Sequence, residues 1–269
     1  MKAEVRNQLE KAPKLWIVKL AIILFVLLAT TWSGASLNYN GITKSGLIIA
    51  KSIFLGILSP DTNLLFNFGS NGVLYLLVET IAIAILGTII GSIISVPFAF
   101  MCSSNIVPKW VSTLGTIIVA GIRTFPEFVY GLMLVKVTGP GAFAGVLTIG
   151  IVSIGMVTKL YIEAIEDLDK NIIESLDASG CTLLQKVRYG IIPQLSTNFV
   201  STSIYRFEMN LKDATVLGLV GAGGIGAPLI FAMNAYKWKQ VGAILIGLIV
   251  LVIIVEYGST RIRSKLARG

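Results

Sequence analysis

The chain has 269 residues, of which 55% are hydrophobic and 13% charged, against roughly 25% charged residues in a soluble domain. An apolar excess of this size belongs in lipid, and because the apolar segments are long and lack the polar alternation of a barrel strand, they read as membrane-spanning helices. The formal charge of +8 gathers at the two ends of the chain, which sets nucleic-acid binding aside, and the absence of histidine excludes a Ser-His intramembrane hydrolase.

Lys2, Arg6, Lys11 and Lys14 precede the first apolar run, 15–32, which has the length of a span. A secretory signal is the competing reading, and Lys19 inside the run favours an uncleaved first helix. Residues 33–72 are mixed. Their apolar stretch 46–58, interrupted by Lys51, is short for a crossing and predicts an interfacial helix on the outer side. A second span follows over 73–101, with Glu79 near its outer end and Gly87, Gly91 and Ser92 permitting close helix contact. The third, 111–137, contains Arg123, Pro126 and Glu127, and Pro126 should break or kink it. A fourth covers 141–161, a fifth with a polar middle 199–220, and a sixth 241–257, with a glycine-rich outer loop over 221–240. Arg261, Arg263, Lys265 and Arg268 follow the last span. Basic ends place both termini in the cytoplasm, which requires an even number of crossings, and six satisfies it. Cys102 and Cys181 lie far apart with no paired spacing, so they read as free thiols.

Between spans four and five lies a charged, glycine-punctuated insert, 163–195, on the cytoplasmic side by the same parity. Asn171 followed by Glu174 predicts a capped helix starting at Ile172, and Gly180 stops it. Ile172, Ile173 and Leu176 form an apolar stripe on a segment too short to stand alone. Thr182 with Gln185 repeats the start signal, and Pro193 should limit the second helix. From these residues alone, a loop folded back on the bundle and a surface for docking a partner both remain open.

The insert resembles the EAA loop of ABC importer permeases: a glutamate with small residues, then a glycine, then a proline thirteen positions later, here Glu174, Ser175, Leu176, Gly180 and Pro193. It departs from the usual pattern at Ser175 and Leu176, where two alanines are usual, and at Gly190, where an isoleucine is usual. Together with SIYRFEMNLKDATVLGLVGAGGIG, ETIAIAILGTIIGSIISVPFAF and RTFPEFVYG, it is similar to the phosphonate importer subgroup from about residue 59 onward. The resemblance implies an all-α, type I permease of a bacterial plasma membrane, working as a homodimer with two cytoplasmic ATPase subunits and an extracytoplasmic binding protein. It implies that Glu174, Ser175, Leu176, Ala178, Gly180 and Pro193 form the ATPase-coupling face. ATP and Mg would be bound by the partner, since these residues contain no phosphate-binding loop, and no cofactor is expected in this chain. Residues 1–72 then read as a cytoplasmic tail, first span and outer segment, 73–262 as the permease core, and 263–269 as a basic tail. The implied cargo is phosphonate or a related phosphorus oxyanion, the alternative being another small solute such as methionine or an osmoprotectant.

Two further features compete for attention. GAGGIG, 221–226, matches a dinucleotide fingerprint, but no acidic residue occurs from Ala227 to Val255 to hold a ribose, so these glycines are expected to serve tight backbone packing. In the fifth span, Glu208 and Lys212 are one turn apart, while Arg206, Asn210 and Asp213 share another face. Charges inside a span face a bundle interior or an aqueous cavity. They therefore either lock the helices together or line a route for a small anion, with Arg123, Glu127, Arg206, Glu208 and Lys212 as the candidate path residues. A pairing of Arg123 with Glu127 would make those two structural instead. An intramembrane enzyme is disfavoured by the lack of histidine, of a Gly-x-Gly-Asp signature and of clustered metal ligands.

Overall fold

Long apolar runs become long helices here. The computed structural model of the chain describes residues 16–36, 44–69 and 72–267, and every regular element among them is helical. Lys2, Arg6, Lys11, Lys14 and Arg268 lie outside the described residues. The chain divides into two compact units, Met1–Ala50 and Lys51–Gly269. The first holds α1 (Trp16–Ser36), 21 residues that are apolar nearly all round, as a lipid-embedded helix requires. The boundary falls within α2 (Lys44–Leu58), a short apolar helix where one was expected.

In the second unit, α3 (Thr62–Leu65) is a single turn capped by Asp61, whose carboxylate accepts from the N–H groups of Asn63 and Leu64. Four long helices form the bundle: α4 (Val73–Cys102), α7 (Ala142–Glu166), α10 (Ile192–Gly218) and α12 (Trp238–Leu266). Even the shortest, 25 residues, rises about 38 Å, enough for a hydrocarbon core of roughly 30 Å. Helices α1, α4, α7 and α12 are both long and apolar enough to cross. Helix α10 has the length but carries Arg206, Glu208, Lys212 and Asp213 in its middle.

The third expected span is two helices, α5 (Lys109–Thr124) and α6 (Glu127–Thr138), bent by 80°. Pro126 lacks an N–H and pushes Phe125 into extended geometry (φ −85°, ψ 133°), so the chain breaks rather than kinks. With 16 residues, about 24 Å, α5 falls short of a crossing by itself. Six crossings are counted only if this pair and α10 each make one. The fourth and sixth spans run on to Glu166 and Leu266, beyond their expected ends, because helix continues where apolarity stops.

Small residues set the tightest contact. A side chain at Gly87 would strike Ile149, and one at Gly91 would strike Ser153, so α4 and α7 approach backbone to backbone. Their far ends are tied by Ser104, whose N–H and hydroxyl both donate to Glu166 Oε1 (2.8 and 2.7 Å), and by Asn105 Nδ2 donating to the Ile165 carbonyl (2.8 Å). The expected outer loop holds a helix of its own, α11 (Gly226–Asn234). Gly221, Gly223 and Gly224 turn the chain with φ of 89°, 82° and 71°, and Ile225 N–H donates to Thr80 Oγ1 (3.0 Å), fixing the turn on α4. The glycine run is close packing, as expected: Gly226 lies against Gly218 and the Thr215 carbonyl.

Candidate functional site

The segment after α7 is built by local signals. Helix α8 (Lys170–Ala178) is capped by Asp169, which accepts from Asn171 N–H at 3.0 Å. The expected cap at Asn171 is therefore displaced two residues upstream, where the Asp169 carboxylate takes the free amide of Asn171 itself. Gly180, at φ +73°, ends α8 in a Schellman turn: Cys181 N–H donates to the Leu176 carbonyl (3.1 Å) and Gly180 N–H to the Asp177 carbonyl (2.9 Å). The second start signal holds where it was read, with Thr182 N–H donating to Gln185 Oε1 (2.8 Å) at the head of α9 (Leu183–Gln185).

Pro193 does not end this second helix. Residues Lys186–Ile191 form a π-helical turn that leads straight into α10, with Pro193 in its first turn. Pro193 has no N–H to donate back to the preceding turn, and that gap falls at the junction of the π-helical turn with α10. The apolar stripe of α8 is anchored: Ile172 and Ile173 pack on a core of Tyr161, Ile165, Ile191 and Leu195, and Asp177 pairs with Lys186. What the segment leaves outward is Glu174, Ser175, Ala178 and Gly180, with Leu184 80% and Tyr189 66% exposed. Among the described residues Glu174 has no ion-pair partner.

The polar middle of α10 works on two faces. On one, Asn210, fully buried, donates through Nδ2 to Thr88 Oγ1 of α4 (2.7 Å) and Ser153 Oγ of α7 (2.9 Å), joining three helices near their midpoints. Arg206, 6% exposed, pairs with Asp213 (Nη2 to Oδ2, 3.2 Å), and Glu127 at the start of α6 lies within electrostatic reach of both. On the other face, Glu208 is held by Lys212 (3.5 Å), by Arg263 Nη2 (3.2 Å) and by the Ser259 hydroxyl, which donates at 2.9 Å. Lys212 also lies 3.8 Å from Glu256. The first face joins α10 to α4, α6 and α7; the second joins it to α12.

Residues 91–259 match the family model described as the inner membrane component of binding-protein-dependent transport systems. The chain belongs to that family. It is thus an ABC importer permease, a multi-pass inner-membrane subunit of a transport system and not an enzyme. The permease is 32% identical over 247 residues, 91% of its length and 88% of the relative's, to the phosphite transport system permease protein PtxC of Stutzerimonas stutzeri. It is 31% identical over 192 residues to the phosphate-import permease protein PhnE of Mycolicibacterium smegmatis, covering 71% of the permease and 36% of that protein. Its fold is that of an inward-facing structure of the MetNI methionine ABC transporter, with a TM-score of 0.63 at 19% identity, covering 72% of the permease and 95% of that chain.

Within the permease the five candidate path residues separate. Arg206 and Glu127 come together around Asp213, whereas Glu208 and Lys212 turn away to α12. Arg123 does not pair with Glu127, because the 80° bend at Pro126 carries them apart; its aliphatic stem lies on Gly155 of α7 and its side chain is exposed. Thr88, Ser153, Glu256, Ser259 and Arg263 were missed as partners. A hydroxyl in an apolar run gives no sequence signal of its partner, and Arg263 reads as part of a basic tail until α12 is seen to continue past it.

Proposed function

We propose that this permease moves phosphonate or a related phosphorus oxyanion, such as phosphite or phosphate, into the cell as a homodimer with two copies of a cytoplasmic ATPase and an extracytoplasmic binding protein. Both termini lie in the cytoplasm by charge, which puts α8, α9 and the π-helical turn on the ATPase side. The observation that carries the reading is the near full-length similarity to a phosphite permease, and the outward face of the segment supports the coupling role. A short capped helix anchored from beneath, with exposed Glu174, Leu184 and Tyr189, suits a groove on a partner. ATP binding and hydrolysis belong to that partner. Nucleotide-driven closure would reach the bundle through Ile172, Ile173 and Ile191 as a push on α7 and α10.

The route for the anion lies along the Arg206 face. A guanidinium suits tetrahedral oxyanion oxygens, and its engagement by Asp213, with Glu127 near, keeps binding weak enough for release. Arg123, exposed at the break between α5 and α6, is the second cation on the path. Glu208 and Lys212 serve helix packing. The test is uptake in cells lacking their own phosphite and phosphonate import, expressing the permease with its ATPase and binding protein. Uptake of either labelled anion is expected, and failure to take up both with methionine uptake gained would overturn the cargo.

A further inference from the structure

The coupling segment contains two glycines, and they are glycine for opposite reasons. Gly180 has a left-handed backbone and open space where a side chain would be, so its need is conformational. Gly190, in the π-helical turn, is not in the left-handed region, and any residue could adopt its backbone. Its need is space. A Cβ added there meets Leu176, and the three nearest atoms, Cδ1, Cγ at 3.6 Å and Cδ2 at 4.0 Å, all belong to that one side chain.

We infer that Leu176 and Gly190 form a knob and notch that set the angle of α8 against the head of α10, and so the orientation of the face offered to the ATPase. The π-helical turn brings Gly190 to the α8 side, four residues after Lys186, which pairs with Asp177 beside Leu176. The ion pair and the apolar contact thus grip neighbouring positions of α8. Leucine and glycine stand here at the two positions where the resemblance gave alanine and isoleucine. Leu176 and Gly190 are positioning residues; the outward Glu174, Ala178 and Leu184 are what they position.

This rests on the coupling role proposed above, and the test separates the two. The permease, with Gly190→Ile, Leu176→Ala and the double variant, is reconstituted with its ATPase and binding protein, and stimulated ATP hydrolysis is measured. Gly190→Ile should lower stimulation about tenfold, Leu176→Ala less, and the double variant should return to within about twofold of the parent, the non-additivity expected of side chains in contact and not of independent sites. Should Gly190→Ile fail to accumulate in the membrane, recovery of normal accumulation by the double variant supports the contact. Normal stimulation in Gly190→Ile, or a double variant no better than it, overturns the inference. A parent permease that neither retains nor stimulates the ATPase overturns the coupling role itself.

Discussion

Replacing Gly180 by alanine and by tryptophan in parallel separates backbone strain from occlusion of a surface. Any L-residue at φ +73° carries the left-handed penalty, roughly 1–2 kcal/mol, so both variants weaken the turn after α8 by about 5- to 30-fold in its local equilibrium. Helix α8 has nine residues and depends on that turn and on its anchored stripe to stay formed. Beyond the backbone cost, either side chain leaves the backbone into open space, because a Cβ at this position meets nothing within 4 Å. Tryptophan differs from alanine in the bulk it adds to the outward face of the segment. Membrane level and melting temperature should match between the variants, while the ATPase co-purifies with Gly180→Ala and is lost from Gly180→Trp. Asparagine, which tolerates the left-handed region, should lose least from the backbone. If Gly180→Trp retains the ATPase as well as Gly180→Ala does, the surface around Gly180 is not a docking face.

Four further expectations concern the bundle. Arg206→Lys keeps the charge but loses the fork; it should slow uptake by about 10- to 100-fold, the worth of one charge-assisted hydrogen bond, with ATPase association unchanged, and normal uptake would make Arg206 a packing element. Arg123→Ala should also reduce uptake without loss of membrane level, since no ion pair within the described residues depends on it, and unaltered uptake would remove it from the path. Glu208→Ala leaves Arg263 and Lys212 without their shared carboxylate and should cost about 1–3 kcal/mol by thermal unfolding in detergent, the partners' partial exposure softening the loss. Asn210→Leu removes the bonds to Thr88 and Ser153 and should cost about 1–2 kcal/mol in the same assay; a stability gain would show that these helices are held by apolar packing alone.

What was legible in the sequence was whatever local chemistry decides. The spans beginning at Val73 and near Ala142, the stop at Gly180, the start at Thr182 and the Glu208–Lys212 pair each depend on residues within a turn or two of one another. The break at Pro126 was legible as a break, but its 80° angle was not, because that depends on how α6 packs against α7 and α10. The cap went to Asp169 rather than Asn171, a competition between two adjacent signals that sequence cannot adjudicate. The π-helical turn left no sequence mark, and with it was hidden the meeting of Leu176 and Gly190, fourteen positions apart and related only through the fold. Likewise Thr88, Ser153 and Asn210 sit on three helices, and only their packing brings one amide to two hydroxyls.

The most direct test of the account is ATP-driven accumulation in proteoliposomes containing the permease, its ATPase and, outside, the loaded binding protein. Phosphite, phosphate, a phosphonate, methionine and choline are offered in turn. Accumulation of one or more phosphorus oxyanions that requires ATP and falls with Arg206→Lys is the predicted result; accumulation of methionine or choline with none of the phosphorus oxyanions would contradict it.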